Sequence, residues 1–241
     1  MEKQNVVGLI IICTGKYDIF LQPLVDSMEK WFFVGSKFDI YLFSDKDYPV
    51  SLTNRMTLYR NAVPHLPFPY PTLFRYKWIS KYADVFQSDN LFYLDVDMLF
   101  VNEVGSEILP SNNELVVTRH PGFFHGGWGD RDTSPRSTAY LDPVLWKDYF
   151  AGGFQGGTRD AFLKASETMD YNIDIDFDNE VMAKWHDESH WNHYIKFYPS
   201  IKILSPEYCM VEEMGLRKKW RIDDLTPRLI ALKKDHKKLR G

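Results

Sequence analysis

Cysteine is almost absent from this chain of 241 residues, which has only Cys13 and Cys209 and so no disulfide framework. No Asn-x-Ser/Thr sequon occurs either, so no N-glycosylation is expected. Long apolar runs are missing as well. The first, Val6 to Cys13, is far short of the roughly 20 residues that cross a bilayer, and no small-residue cleavage site follows it. These absences predict a soluble, cytoplasmic protein with no transmembrane segment. An excess of positive charge is lacking too: a net charge of −4 gives no reason to expect a nucleic-acid partner. Neither a G-x-G-x-x-G fingerprint nor a P-loop is present, and Gly15 stands alone after the first apolar run. A nucleotide bound here would need metal or basic side chains to neutralise its phosphates. No repeat or low-complexity stretch divides the chain, so one domain over residues 1–241 is expected, ending in a basic, mobile tail from about residue 228.

What is present alternates between two periodicities. Val6 to Cys13 is a continuous, β-branched apolar run closed by Thr14-Gly15, as a strand buried on both faces requires. Leu21 to Phe33 carries Leu24, Val25, Met28, Trp31 and Phe32 at helical spacing. Phe38 to Ser44 reads as a second strand and Ser51 to Arg60 as the place of a third. Four prolines then punctuate a loop, and Thr72 is placed to cap a helix running to about Val85. Leu91 to Leu94 and Glu114 to Arg119 are further strands. The alternation predicts an α/β domain with a mostly parallel central sheet flanked by helices. Ligands of such sheets bind beyond the carboxyl ends of the strands, which puts Cys13-Thr14-Gly15, Ser44-Asp45 and Asp95-Val96-Asp97 on one rim.

Asp95 and Asp97 end the run N-L-F-Y-L-D-V-D. Residues two apart on a strand share a face, and two carboxylates there suit a divalent cation that keeps positions open for phosphate oxygens. Asp-x-Asp occurs five times in the chain, but only this copy follows a strand-like apolar run; most of the others read as solvated loop acids. Asp174 to Asn179 has the rhythm of a calcium loop, yet Asn179 and Trp185 stand where Gly and Glu are required, which leaves a solvated acidic segment before a helix. Trp185-His186-Asp187-Glu188-Ser189-His190 is the densest polar cluster. Its two histidines could share a helix face, but a zinc hydrolase needs Glu directly after the first, where Asp187 stands. The plain alternative is a helix start, Asp187 capping and Glu188 in the first turn. Tyr149 to Gly157 holds four glycines, which serve either close approach of backbone to a ligand or bulges and turns. The run Lys233 to Arg240 is either a solvated tail or a lid whose cations fold over a diphosphate.

Taken in order, several blocks resemble the retaining family 6 glycosyltransferases, which include the histo-blood-group A and B transferases and α-1,3-galactosyltransferase. They are Phe92 to Asp97, Gly105 to Leu109, His120 to Phe124, Ser137 to Tyr140, Tyr149 to Gly157, Trp185 to Asn192 and Leu204 to Tyr208. The block W-H-D-E-S-H-W-N is the most specific. The resemblance implies a GT-A type nucleotide-diphospho-sugar transferase fold, a UDP-sugar donor and a glycan acceptor. It casts Asp95 and Asp97 as the pair binding ribose and a cation, Mn2+ or Mg2+, and Arg75 as an arginine near the nucleotide. Cys13, Thr14 and Tyr17 fall where the family contacts uracil. Asp187, within the block that includes His186, resembles a residue gripping the donor sugar, and Glu188 the catalytic carboxylate at its anomeric carbon. His120 and Trp185 fall at the acceptor. Lys234 and Arg240 align with basic residues of a tail that closes on the diphosphate. Ala151-Gly152-Gly153 occupies the donor-selecting tripeptide, whose small residues favour UDP-GalNAc over UDP-galactose. The loop from His125 to Arg136 departs from the family pattern. Two alternatives stand beside the transferase: an enzyme that mainly hydrolyses UDP-sugar, and a silent sugar- or nucleotide-binding module.

Overall fold

The computed structural model describes residues 6–127, 129–142, 144 and 148–240. The first apolar run forms β1 (Val7–Cys13), every residue of which is buried. It is followed by α1 (Leu21–Trp31), β2 (Phe38–Ser44), β3 (Met56–Ala62), α2 (Tyr70–Leu73), α3 (Arg75–Lys81), β4 (Asn90–Asp95) and β5 (Met98–Phe100). The remaining elements are β6 (Leu115–Arg119), β7 (Phe150–Thr158), α4 (Arg159–Asp178), α5 (His186–Phe197), β8 (Ile201–Leu204), β9 (Met210–Val211), α6 (Met214–Trp220), β10 (Leu229–Ala231) and α7 (His236–Arg240).

Seven strands form one sheet in the order β3-β2-β1-β4-β7-β6-β8. The first four pair in parallel, β7 runs antiparallel between β4 and β6, and β8 is parallel to β6. The sheet is thus mostly parallel with helices on both faces, the α/β class expected. Alternation along β1 explains its unbroken apolar sequence. Leu9, Ile11 and Cys13 pack with Leu24, Val25 and Met28 of α1, whereas Ile10 and Ile12 belong to the opposite core with α3, α4 and Trp191 of α5. A small second sheet, β5-β10-β9, pairs the C-terminal part of the chain with the segment just after Asp97.

Several local expectations are corrected. The third strand is Met56–Ala62, displaced toward the C-terminus. The helix placed after Thr72 begins at Tyr70 instead and is interrupted at Phe74. Pro71 suits a first turn, where no backbone N–H is needed, and this puts Thr72 inside the helix. Asp174 to Asp178 is the last turn of α4 and not a solvated loop. Asp176 is buried there, accepting from the Ser137 hydroxyl at 2.8 Å and the Thr138 N–H at 2.7 Å. Asp132 is buried too, taking the N–H groups of Ser134 and Lys184. The basic C-terminal segment begins in β10, and its end, α7, lies against residues 15–20, with the Lys16 ammonium donating to the Lys238 carbonyl at 3.1 Å. Among the described residues no helix is long and apolar enough to cross a membrane.

The glycines of β7 have a steric cause. A Cβ on Gly156 would sit 2.3 Å from the Leu91 carbonyl oxygen and 2.5 Å from the Phe92 ring. Nearer the rim the ladder breaks. Ala151 pairs with Thr118 and Gly156 with Val116, so the four residues Gly152 to Gln155 face only Val117 on β6. This is a β-bulge, a device that frees backbone groups and re-aims side chains.

Candidate active site

The rim of the sheet carries the polar side chains. β4 ends at Asp95, whose Oδ1 accepts from the Tyr93 hydroxyl at 2.8 Å and from Arg75 Nη2 at 3.1 Å. Arg75, at the start of α3, is only 3% exposed. Its Nε lies 3.0 Å from Asp187 Oδ2, its Nη1 donates to the Gly152 carbonyl at 2.7 Å, and its guanidinium stands 4.0 Å over the Tyr93 ring. Burial disfavours that charge, but Asp187 and Asp95 hold the guanidinium firmly protonated. Burial pushes the Asp187 carboxyl up to about 7, with Arg75 opposing and the Asp95 and Glu188 carboxylates adding to the rise.

α5 positions the next carboxylate. Its N-cap is Trp185 and not Asp187, and His186 enters the helix at φ 52°, in the left-handed region that a side chain rarely adopts. The turn sets His186 edge-on to Phe68, 5.5 Å away, while Asp187 meets Arg75 and Glu188 meets β7. Asn192, one turn on, clamps the helix to the sheet: it accepts from the Phe150 N–H and donates to the Phe150 carbonyl, both at 2.8 Å. Both oxygens of Glu188 are engaged. The Tyr149 hydroxyl donates to Oε1 and the Gly152 N–H to Oε2, each at 2.7 Å. Burial and the Glu188 charge push the Tyr149 phenol far up, so it stays a donor.

A cavity of about 510 Å³ opens onto these groups. Thr14, Tyr17, Arg75, Asp95, Asp97, Gly152, Gly153, Trp185, His186, Asp187, Glu188, Lys234 and Arg240 all line it, drawn together from six separate stretches of chain. Three expected residues do not. Cys13 and Ala151 are buried in the core beneath, since strand alternation turns Ile12 and Thr14 toward the cavity and Cys13 toward α1. His120 lines a second cavity of about 350 Å³ with Arg119, Phe123, Phe124, Asp148 and Tyr149. Burial holds the His120 imidazole below its ordinary value, and its Nδ1 accepts from the Gly122 N–H at 3.1 Å. Tyr149 links the two cavities, its ring in one and its hydroxyl on Glu188 in the other.

The C-terminal segment brings cations to the first cavity. The Lys234 ammonium pairs with Asp97 Oδ2, and the Arg240 guanidinium lies 3.6 Å over the Phe68 ring with Nε 3.4 Å from the Tyr17 hydroxyl. Asp97 Oδ2 is buried and, among the described residues, meets no hydrogen-bond donor other than this ammonium. Among the described residues no group of three His, Cys, Asp or Glu side chains could hold a metal by itself. Two carboxylates still fit a hard cation such as Mn2+ or Mg2+ whose remaining ligands are phosphate oxygens and water. His186 and His190 do not converge: His190 is buried 3.7 Å from Asp176.

Tyr149, Tyr93 and Gln155 belong to the site without having been assigned to it from the sequence. Gln155 did leave a signal, an amide in an otherwise apolar and glycine-rich strand.

The sequence of this chain matches Glycosyltransferase family 6 over residues 1–241. It is 29% identical over 252 residues to the rat histo-blood group ABO system transferase 1, covering 99% of this chain and 70% of that protein. It is 31% identical over 214 residues to the human globoside alpha-1,3-N-acetylgalactosaminyltransferase 1, covering 84% of this chain and 60% of that protein. A bacterial relative, the Escherichia coli O-antigen biosynthesis glycosyltransferase WbnI, is 26% identical over 225 residues, 90% of this chain and 93% of that protein. The strand-end aspartates, the buried Arg75–Asp187 pair and the Glu188 carboxylate therefore sit in a chain that belongs to glycosyltransferase family 6.

Proposed function

We propose that the protein moves galactose or N-acetylgalactosamine from a UDP-sugar to the 3-hydroxyl of a β-galactoside acceptor, retaining the anomeric configuration and requiring a divalent cation. The observation that carries this reading is the placement, on one cavity, of Asp95 and Asp97, Glu188, and the Lys234 and Arg240 cations. The name of the human relative supports an N-acetylgalactosaminyl donor and an α-1,3 linkage. Gly152 and Gly153 leave the cavity wall beside Asp187 without side chains, which supports room for an N-acetyl group.

Breaking the bond between sugar and diphosphate develops positive charge at the anomeric carbon and negative charge on the departing UDP. Asp95 and Asp97 would hold Mn2+ or Mg2+, which when bound supplies charge stabilisation to the diphosphate. Lys234 and Arg240 add positive charge on the same side of the cavity. Asp187, locked by Arg75, offers a fixed acceptor for a sugar hydroxyl. Glu188 faces the reacting carbon with its carboxylate oriented by Tyr149 and Gly152. It stabilises the developing cation or bonds to it; attack by Glu188 followed by the acceptor hydroxyl retains configuration through two inversions. Tyr149 and His120 belong to the wall where the acceptor enters.

UDP release is the direct test, measured with UDP-GalNAc, UDP-galactose and UDP-glucose, with and without β-galactosides, in Mn2+ and in EDTA. Acceptor-dependent release that EDTA abolishes is expected, with Glu188→Gln slower by about 10²- to 10³-fold. Undiminished turnover in EDTA, or near-normal rates in Glu188→Gln, would defeat the metal requirement and the catalytic assignment respectively.

A further inference from the structure

We infer that Gln155, with Tyr76 behind it, is a positioning residue that holds the Gly152 backbone so that its N–H meets Glu188. The inference rests on the role given to Glu188 above. Gly152 lies in the β-bulge of β7, where four residues oppose one and the β6 ladder is broken. Pairing with β4 on the other side ends at Phe154, opposite Leu94. Gly152 is also the residue with the least intrinsic preference for one backbone conformation. The ladder therefore holds this backbone only on its Ala151 side, and the Gly152 carbonyl has no strand partner.

Side chains take the place of the missing ladder. The Gly152 carbonyl accepts from Gln155 Nε2 at 3.2 Å and from Arg75 Nη1 at 2.7 Å. The other end of the Gln155 amide accepts from the Tyr76 hydroxyl at 3.0 Å. Gln155 and Tyr76 are both fully buried, on β7 and α3 respectively. Placing an amide and a phenol in an apolar core is unfavourable unless every polar atom is paired. Here the pairing runs in one line, from Tyr76 through Gln155 and Gly152 to Glu188 Oε2. Arg75 already satisfies one lone pair of the Gly152 carbonyl. The second donor therefore adds direction to the satisfaction already present: two donors fix the plane of the 152–153 peptide. With Ala151 paired to Thr118 on the other side, only the Gly152 φ and ψ angles remain between two held peptide planes, so the N–H is held toward Glu188. Gln155 does not line the cavity. It acts on the reaction only through Gly152.

The test pairs two variants. Gln155→Leu removes the hold on Gly152 but strands the Tyr76 hydroxyl, so Gln155→Leu/Tyr76→Phe replaces both partners with apolar groups, a change that can be nearly neutral for folding. In the double variant kcat is expected to fall about 10- to 100-fold, as a small misplacement of a reacting group does. UDP-sugar affinity by calorimetry and the melting temperature should remain close to wild type. Gln155→Glu/Tyr76→Phe, which keeps a polar group but loses the N–H donor, should not recover the rate. A wild-type kcat in Gln155→Leu/Tyr76→Phe would overturn the inference, as would loss of donor affinity in step with kcat, which marks a merely structural role. Glu188→Gln is run beside them. If it too retains full turnover, the role of Glu188 has failed and not the positioning of Gly152.

Discussion

Replacing Arg75 with lysine is the sharpest test of how this site is held together. Lysine keeps the charge but offers one nitrogen in place of a planar fork. Arg75 uses three nitrogens, toward Asp187 at 3.0 Å, Asp95 at 3.1 Å and the Gly152 carbonyl at 2.7 Å. Asp187 is 1% exposed, so leaving it with a poorer partner places a carboxylate in the core without compensation. Losing one partner of such a pair outright costs about 3–5 kcal/mol, which is the ceiling for a lysine that keeps the charge. The Asp95 share is discounted, because its side chain is 37% exposed and water can replace the contact. Stacking on Tyr93 is kept only in part. At roughly 2–4 °C per kcal/mol for a chain of this size, the melting temperature should drop by several degrees, up to about 20 °C. Thermal unfolding followed by circular dichroism measures it, and urea unfolding gives the free-energy loss, at about pH 8 and again at about pH 6. The deficit should narrow at the lower pH. Burial already pushes Asp187 up to about 7 with Arg75 in place, and a weaker cation lets it rise further, so acid neutralises the stranded charge. A loss below about 1 kcal/mol, or one that widens in acid, would refute this account of the pair.

Tyr149→Phe removes the donor to Glu188 Oε1 while keeping the ring in the second cavity; steady-state kinetics should show kcat down by about tenfold or more with little change in donor KM. An unchanged kcat would show the hydroxyl idle. For His120, burial lowers the imidazole below 6.5 against the opposing Glu188 and Asp130 charges. Its contribution to stability is therefore present above pH 6.5 and lost as pH falls through the lowered value, where protonated Nδ1 can no longer accept from Gly122. An NMR titration of that imidazole checks it, and a midpoint above 6.5 would contradict the burial argument.

The inner strands of the parallel half were legible because β1 and β4 are buried on both faces and their sequences are correspondingly apolar, whereas the edge strand β3, exposed along much of its length, was placed only approximately. Asp95 stood out for the same reason: it is the first polar side chain after such a run. The antiparallel course of β7 was not legible, since strand direction is set by neighbours and leaves no mark in the strand itself. Nor could the sequence tell a solvated carboxylate from a buried one. Asp132 and Asp176 are buried because Lys184, Ser137 and Thr138 supply donors from distant stretches of chain. Burial of Cys13 was legible from its place at the end of an apolar run; that it faces α1 and not the cavity was not. The His186 turn is a backbone conformation that no residue type in the block announces.

The direction of β7 has a consequence for how the specificity of such an enzyme can diverge. β6 and β4 both end at the rim, and β7, running the other way, begins there. The connection between β6 and β7, residues 120–149, therefore leaves the rim and returns to it, carrying His120 and Tyr149 at its two ends. Thr14, Arg75 and Asp95, which line the first cavity, come from other connections and strand ends. Insertions, deletions or wholesale replacement inside this one excursion can redraw what the second cavity receives. Arg75, Asp95 and the basic segment around the first cavity come from elsewhere in the chain, so they need not move. Three residues of the excursion must stay: Tyr149 holds Glu188, and Asp130 and Asp132 hold Trp185 and Lys184.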